Sequence, residues 1–167
     1  VFDTPPLVDW PNHLARHVLQ CGAPGAAAIA AYYIYDFTIV PNLTAELIHL
    51  LPLACADPEL TQKVLIQVAS FGLYAATAIL HRAIWGGWSL WPLLAGLLMH
   101  NMAWSMGFEN FVLAAPFVLL ALAVWFALER TGPLLRLGAN WPLAVGLYAL
   151  HLYAFAFFML ALSLLEL

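Results

Sequence analysis

Residues 64–84 read VLIQVASFGLYAATAILHRAI, an apolar run in which the first charge is Arg82 near its end. At about 1.5 Å of rise per residue, a helix of this length crosses a hydrocarbon layer of roughly 30 Å. Just upstream, Asp57-Pro58-Glu59 supplies a helix start: an acceptor at the cap, a proline at the first helical position and an acid in the first turn. Downstream, three further runs carry the same signal. Residues 88–106 (WSLWPLLAGLLMHNMAWSM) have tryptophans at both ends and hold Pro92 in the first turns. Residues 111–128 (FVLAAPFVLLALAVWFAL) contain no charge, and residues 141–165 contain one ionisable group, His151.

Composition agrees with these spans. Of 167 residues, 65% are apolar and 8% charged, and the mean hydropathy is +0.90. A soluble fold of this size could not bury so much apolar surface. Five basic and nine acidic side chains leave no basic face for nucleic acid. The expected fold class is therefore an all-α membrane protein with at least four transmembrane helices (64–84, 88–106, 111–128 and 141–165), plus short extracytoplasmic juxtamembrane helices.

Orientation follows from the arginines. Arg82 closes the first span, and Arg130 and Arg136 lie between the third and fourth, so alternation puts all three on one side, expected to be the cytoplasm. Glu109, Glu166 and everything before residue 63 then face outward, with Lys63 the one dissenting charge. Residues 1–62 form the extracytoplasmic or interfacial segment and residues 63–167 the transmembrane bundle. No signal peptide precedes Val1, and the expectation is that processing or truncation has removed the true start.

The outer segment is broken and polar. Residues 11–20 (PNHLARHVLQ) put Leu14, Ala15, Val18 and Leu19 on one helical face and His13, Arg16, His17 and Gln20 on the other, the pattern of a helix lying on a membrane surface. Residues 22–35 are apolar but short, which suits a re-entrant or interfacial piece. Residues 43–56 predict a second short helix capped by Asn42 and bent or ended at Pro52. Cys21 and Cys55 have no metal-binding spacing; an oxidising compartment would permit a bridge, but buried free thiols are the default expectation.

Candidate chemistry concentrates in that segment. Asp9 or Asp3 could act as general base toward a hydroxyl acceptor, or Asp9 could hold a divalent ion such as Mg²⁺ or Mn²⁺ beside a phosphate leaving group. Arg16, His13, His17 and Asn12 are placed to contact that phosphate, and Glu109 to approach the same surface. The plainer alternative makes Asp9 a helix cap and its neighbours the wet face of an amphipathic helix. Within the spans, His100 and His151 could ligate haem or a chlorophyll magnesium, or simply hydrogen-bond between helices.

The run Pro5-Pro6-Leu7-Val8-Asp9-Trp10-Pro11-Asn12-His13-Leu14-Ala15-Arg16 joins three other pieces: Val40-Pro41-Asn42-Leu43, Gly107-Phe108-Glu109-Asn110-Phe111 and His151-Leu152-Tyr153-Ala154-Phe155. Together they resemble a group of uncharacterised bacterial polytopic membrane proteins similar to the GT-C glycosyltransferase superfamily. The resemblance spans nearly the whole chain and corresponds to the N-terminal part of a longer protein, so the chain is expected to be a fragment, active or not. It implies sugar transfer from a polyprenyl-phosphate donor at the outer face of the bacterial inner membrane, with Asp9 as first candidate for the catalytic acid, Asp3 second, and Arg16 or His13 on the phosphate. The alternative is a non-enzymatic accessory subunit that scaffolds a larger respiratory or photosynthetic membrane complex, with His100 or His151 holding pigment or haem.

Overall fold

Ten α-helices order the described residues, 7–99 and 101–166, of the computed structural model, and no strand occurs among them. The N-terminal helices are short: α1 (Trp10–Cys21), α2 (Ala26–Ile29), α3 (Thr44–Ile48) and α4 (Pro52–Ala56). They precede the long α5 (Pro58–Trp85), the short α6 (Ala95–Met99) and α7 (Met102–Met106), and then α8 (Glu109–Ala127), α9 (Pro133–Leu150) and α10 (Leu152–Leu165).

The apolar run that includes residues 64–84 lies inside α5, which begins where the sequence placed its start. Asp57 accepts the Leu60 N–H at 3.0 Å and Pro58 opens the helix. Gly86, at φ +75°, ends it by returning its N–H to the Arg82 carbonyl at 2.8 Å. Among the described residues two helices, α5 and α8, are long and apolar enough to cross a membrane.

The other two expected spans are not single helices. Residues 88–106 divide into a 3₁₀ turn at Trp91–Leu94 followed by α6 and α7. Asn101 adopts an extended backbone and caps α7 by accepting the Trp104 N–H at 3.1 Å, which stops a continuous helix from forming. Residues 141–165 divide at His151, whose extended backbone (φ −163°, ψ 127°) separates α9 from α10. The expected outward position of Glu166 is corrected at the same time: α10 returns along α9, and Glu166 pairs with Arg136 Nη1 at 3.0 Å. The C-terminal acid therefore sits at the Arg136 end, opposite Glu109.

α5 and α8 run parallel. Gln62 reaches Glu109, Ala69 packs with Leu113, and Gly72 faces Pro116 so closely that an added Cβ would lie 3.4 Å from its ring. The main apolar cluster joins α8, α9 and α10 through small residues, Ala114, Ala121, Ala144 and Ala154, around Leu147 and Phe158. Large apolar side chains point outward along these helices, among them Val68, Phe71, Leu137, Trp141, Leu160 and Leu164.

The N-terminal helices differ from expectation in three ways. Residues 43–56 form two helices, α3 and α4, and Asn42 (φ +111°) does not cap the first with its side chain. In the 22–35 stretch only α2 is α-helical. Cys21 and Cys55, expected as free thiols, are joined in a disulfide with Cα atoms 5.2 Å apart, tying the end of α1 to α4.

Candidate functional site

The site forms where α1, α3, α5 and α8 meet. Asp9 is positioned by its backbone: Val8 N–H donates to Ser105 O at 3.2 Å and Asp9 N–H to Met106 O at 3.1 Å. This approach requires Gly107, which sits at φ +78° and where a Cβ would come within 3.1 Å of the Asp9 nitrogen. Asp9 takes the cap position of α1 but makes no side-chain cap bond. Its carboxylate instead contacts His13 Nε2 at 3.3 Å, one turn along.

From Asp9 the contacts run inward. His13 Nδ1 lies 3.5 Å from Glu109 Oε2, and His17 Nε2 lies 3.3 Å from the same oxygen. Gln62 donates to it at 3.1 Å. His17 is 0% and Glu109 2% exposed. The His17 ring stacks on His49 at 3.9 Å, and His49 Nδ1 donates to its own turn, to the Ala45 carbonyl at 2.8 Å. Burial pushes the pKa of both His13 and His49 below the ordinary imidazole value; Glu109 opposes the shift at His13, and His17 adds to it at His49. Both rings are therefore held neutral near pH 7. Several buried atoms in this cluster have no hydrogen-bond partner: Glu109 Oε1, His17 Nδ1, His49 Nε2 and Gln62 Oε1.

The face of α1 read as wet is therefore the packed one. His17 is enclosed, Gln20 donates to the Glu46 carbonyl at 2.9 Å, and Arg16 pairs with the buried Glu46. Glu46 is held in turn by Asn110, which accepts the Ala45 N–H at 2.6 Å and donates to Asn42 O at 2.8 Å and to Glu46 Oε2 at 3.1 Å. The Asn42-Leu43-Thr44 strip also closes the open end of α9: the Asn42 and Leu43 N–H groups donate to Ala149 O, Leu43 also to Leu150 O, and the Thr44 hydroxyl to Leu150 O.

Two cavities flank this cluster and share Asp9, His13 and Asn42 in their walls. One, of about 410 Å³, is completed by Glu109, His151 and an aromatic wall of Phe108, Phe111, Tyr153 and Phe157. The other, of about 300 Å³, is polar, with Asn12, Arg16, Tyr35 and Asp36. Of the residues singled out in the sequence, Asp9, Asn12, His13 and Arg16 meet at the polar cavity, and Glu109 and His151 line the aromatic one. His17 lines neither, because it is wholly enclosed, so direct contact with a substrate in either cavity is closed to it. His151 spends Nδ1 on the Tyr153 N–H at 3.2 Å, capping α10. Asp3 and His100 lie outside the described residues.

Gln62, Asn110 and Gly107 were not singled out. Asn110 and Gly107 gave a signal, as polar and glycine neighbours of Glu109 in an otherwise apolar stretch. Gln62 gave none beyond being an amide at the mouth of the first span.

Fold and site define the chain as a helical bundle with a buried histidine–carboxylate cluster at one end, opening on a half-aromatic, half-polar pair of cavities. Compared with known proteins, it matches the model of no family, no curated protein and no solved structure.

Proposed function

We propose that this chain is part of a multi-pass inner-membrane protein of GT-C type, transferring a sugar from a polyprenyl-phosphate donor at the outer face, with residues 1–62 extracytoplasmic. The observation that carries the reading is the position of Asp9 and His13 on the wall between an aromatic cavity and a polar one. A polyprenyl-phosphate sugar has those two halves: a greasy chain suited to Phe108, Phe111 and Phe157, and a charged, hydroxylated head suited to Asn12, Arg16 and Asp36. The outward-facing apolar side chains and the inward-facing polar ones, an arrangement inverted relative to a water-soluble protein, support the membrane setting.

In this mechanism Asp9, 40% exposed at its side chain, accepts the proton of the acceptor hydroxyl as the acceptor oxygen bonds to the anomeric carbon. The bond from that carbon to the phosphate oxygen breaks, and the polyprenyl phosphate leaves with the electron pair. Arg16 offers its guanidinium to the phosphate from the polar cavity, with Glu46 fixing its direction. In membranes supplied with a labelled polyprenyl-phosphate sugar, Asp9→Asn in the full-length protein is expected to abolish transfer at unchanged protein level. Transfer retained in that variant removes Asp9 from the chemistry.

A further inference from the structure

We propose that His13, His17 and Glu109 bind one divalent transition-metal ion of the zinc class, with a remaining coordination position open to the aromatic cavity. This site shares Asp9 and His13 with the sugar-transfer reading but does not depend on it.

The three residues each offer a ligand atom, and these atoms lie within 4.8 Å of one another. His13 and His17 are four residues apart on α1, which puts both rings on one face, and Glu109 opens α8 opposite them. Two contacts have the spacing of a metal site more than that of hydrogen bonds. Charge-assisted N–H···O bonds run about 2.7–2.9 Å, whereas His17 Nε2 and His13 Nδ1 stand 3.3 and 3.5 Å from Glu109 Oε2. A tetrahedral ion with ligands at about 2.1 Å holds those ligands about 3.4 Å apart. The remaining edge, between the two imidazole nitrogens, is no longer than 4.8 Å.

The protonation of His13 points the same way. Its Nε2 faces the Asp9 carboxylate at 3.3 Å, and its Nδ1 faces Arg16 Nη2 at 3.3 Å. The tautomer that satisfies both carries the proton on Nε2, so Nδ1 turns a lone pair toward Glu109 Oε2. Nδ1 thereby keeps a lone pair, held only by the long Arg16 contact, that a metal ion can take. Asp9 becomes the carboxylate that orients a metal-bound histidine from behind. Arg16, already paired with Glu46, gives up only its long contact to Nδ1.

Independent of this spacing, the second Glu109 oxygen, Oε1, is buried without a partner, and an ion held by Oε2 lies within its reach. Two imidazoles and one carboxylate favour Zn²⁺ or a similar ion over Mg²⁺ and Mn²⁺, which prefer all-oxygen sets. His49 is outside the ligand set: its Nδ1 is spent on the Ala45 carbonyl and its ring lies stacked against His17. His13 and Glu109 line the aromatic cavity, so the open position faces a space large enough for a ligand.

The test uses the untagged full chain in detergent, stripped with a chelator and titrated separately with Zn²⁺ and Co²⁺. The expected result is one tightly held equivalent per chain, a rise in thermal stability, and intense visible Co²⁺ bands of a four-coordinate site. Glu109→Gln, which keeps the shape of the side chain and its neighbours, is expected to weaken binding at least a hundredfold, and His13→Gln likewise. Asp9→Asn should weaken it about tenfold to a hundredfold. Glu129→Gln, exposed just past the opposite end of α8 and lining neither cavity, should leave it unchanged. Absence of a tight equivalent in the parent chain overturns the proposal, as does binding retained in both Glu109→Gln and His13→Gln. Because metal content is read without any substrate, a failure here is distinct from a failure of sugar transfer.

Discussion

Asn110→Leu removes the side chain that fastens α3 to α8, and its cost can be worked from the three bonds it breaks. Ala45 loses the acceptor of its N–H at 2.6 Å, Glu46 loses a donor at 3.1 Å, and Asn42 loses the partner of its carbonyl at 2.8 Å. Asn42 is exposed and water can replace its lost donor, so its share is small. Ala45 and Glu46 are buried, and leaving such groups unsatisfied costs about 1–3 kcal/mol each, so the loss is about 2–6 kcal/mol in all. For a chain of this size about 1 kcal/mol corresponds to about 2–4 °C, which gives a fall of about 4–24 °C. The measurement is the temperature at which half of the detergent-solubilised chain stays monodisperse on size exclusion after heating. Asn110→Asp should lose at least as much at neutral pH, because it keeps the acceptor for Ala45 but replaces the donor to Glu46 with a second carboxylate. A midpoint for Asn110→Leu within two degrees of the parent would refute the assignment of α3's anchorage to this residue.

Three further outcomes are expected. Reducing the Cys21–Cys55 bridge, which closes a separation of 34 residues, should lower stability by about 3–4 kcal/mol on the chain-entropy account; matched melts with and without reductant, with alkylation and intact mass confirming the redox state, measure it. Gly107→Ala should cost about 2–3 kcal/mol, since it adds a collision with Asp9 to the left-handed backbone penalty, whereas Gly86→Ala, with open space around it, should cost only about 1 kcal/mol; paired thermal melts separate them. In a background lacking Cys21 and Cys55, single cysteines at 130 and 166 should react with an impermeant reagent from the same face of sealed vesicles, and one at 12 from the opposite face; labelling of 166 together with 12 would break the α9–α10 hairpin.

How far the sequence could be read depended on whether a signal was local. The start of α5 was legible because Asp57, Pro58 and Glu59 act within one turn. The break at His151 was not, since nothing in an apolar run announces an extended residue whose flanking carbonyls are taken up by Asn42, Leu43 and Thr44 from the far end of the chain. The amphipathic pattern of α1 was correct in period but inverted in facing: with an apolar surround, the polar stripe turns inward, and only knowledge of Glu109 and Glu46 as its partners would have said so. Asp9, His13 and Arg16 were found because they crowd one short helix. Gln62 and Asn110 were missed because each is a single amide whose value lies in a neighbour from another helix.

The grip of Thr44 on the Leu150 carbonyl spans 106 residues, and this sets an order of synthesis. At a ribosomal pace of about 5–20 residues per second, the N-terminal helices wait about 5–20 s before the last turn of α9 exists to receive them. During that interval His17, Glu46 and His49 have no finished interior to enter and must be hydrated or chaperoned. A nascent chain arrested after α8 would carry every residue of the histidine–carboxylate cluster and still lack the clasp that closes it.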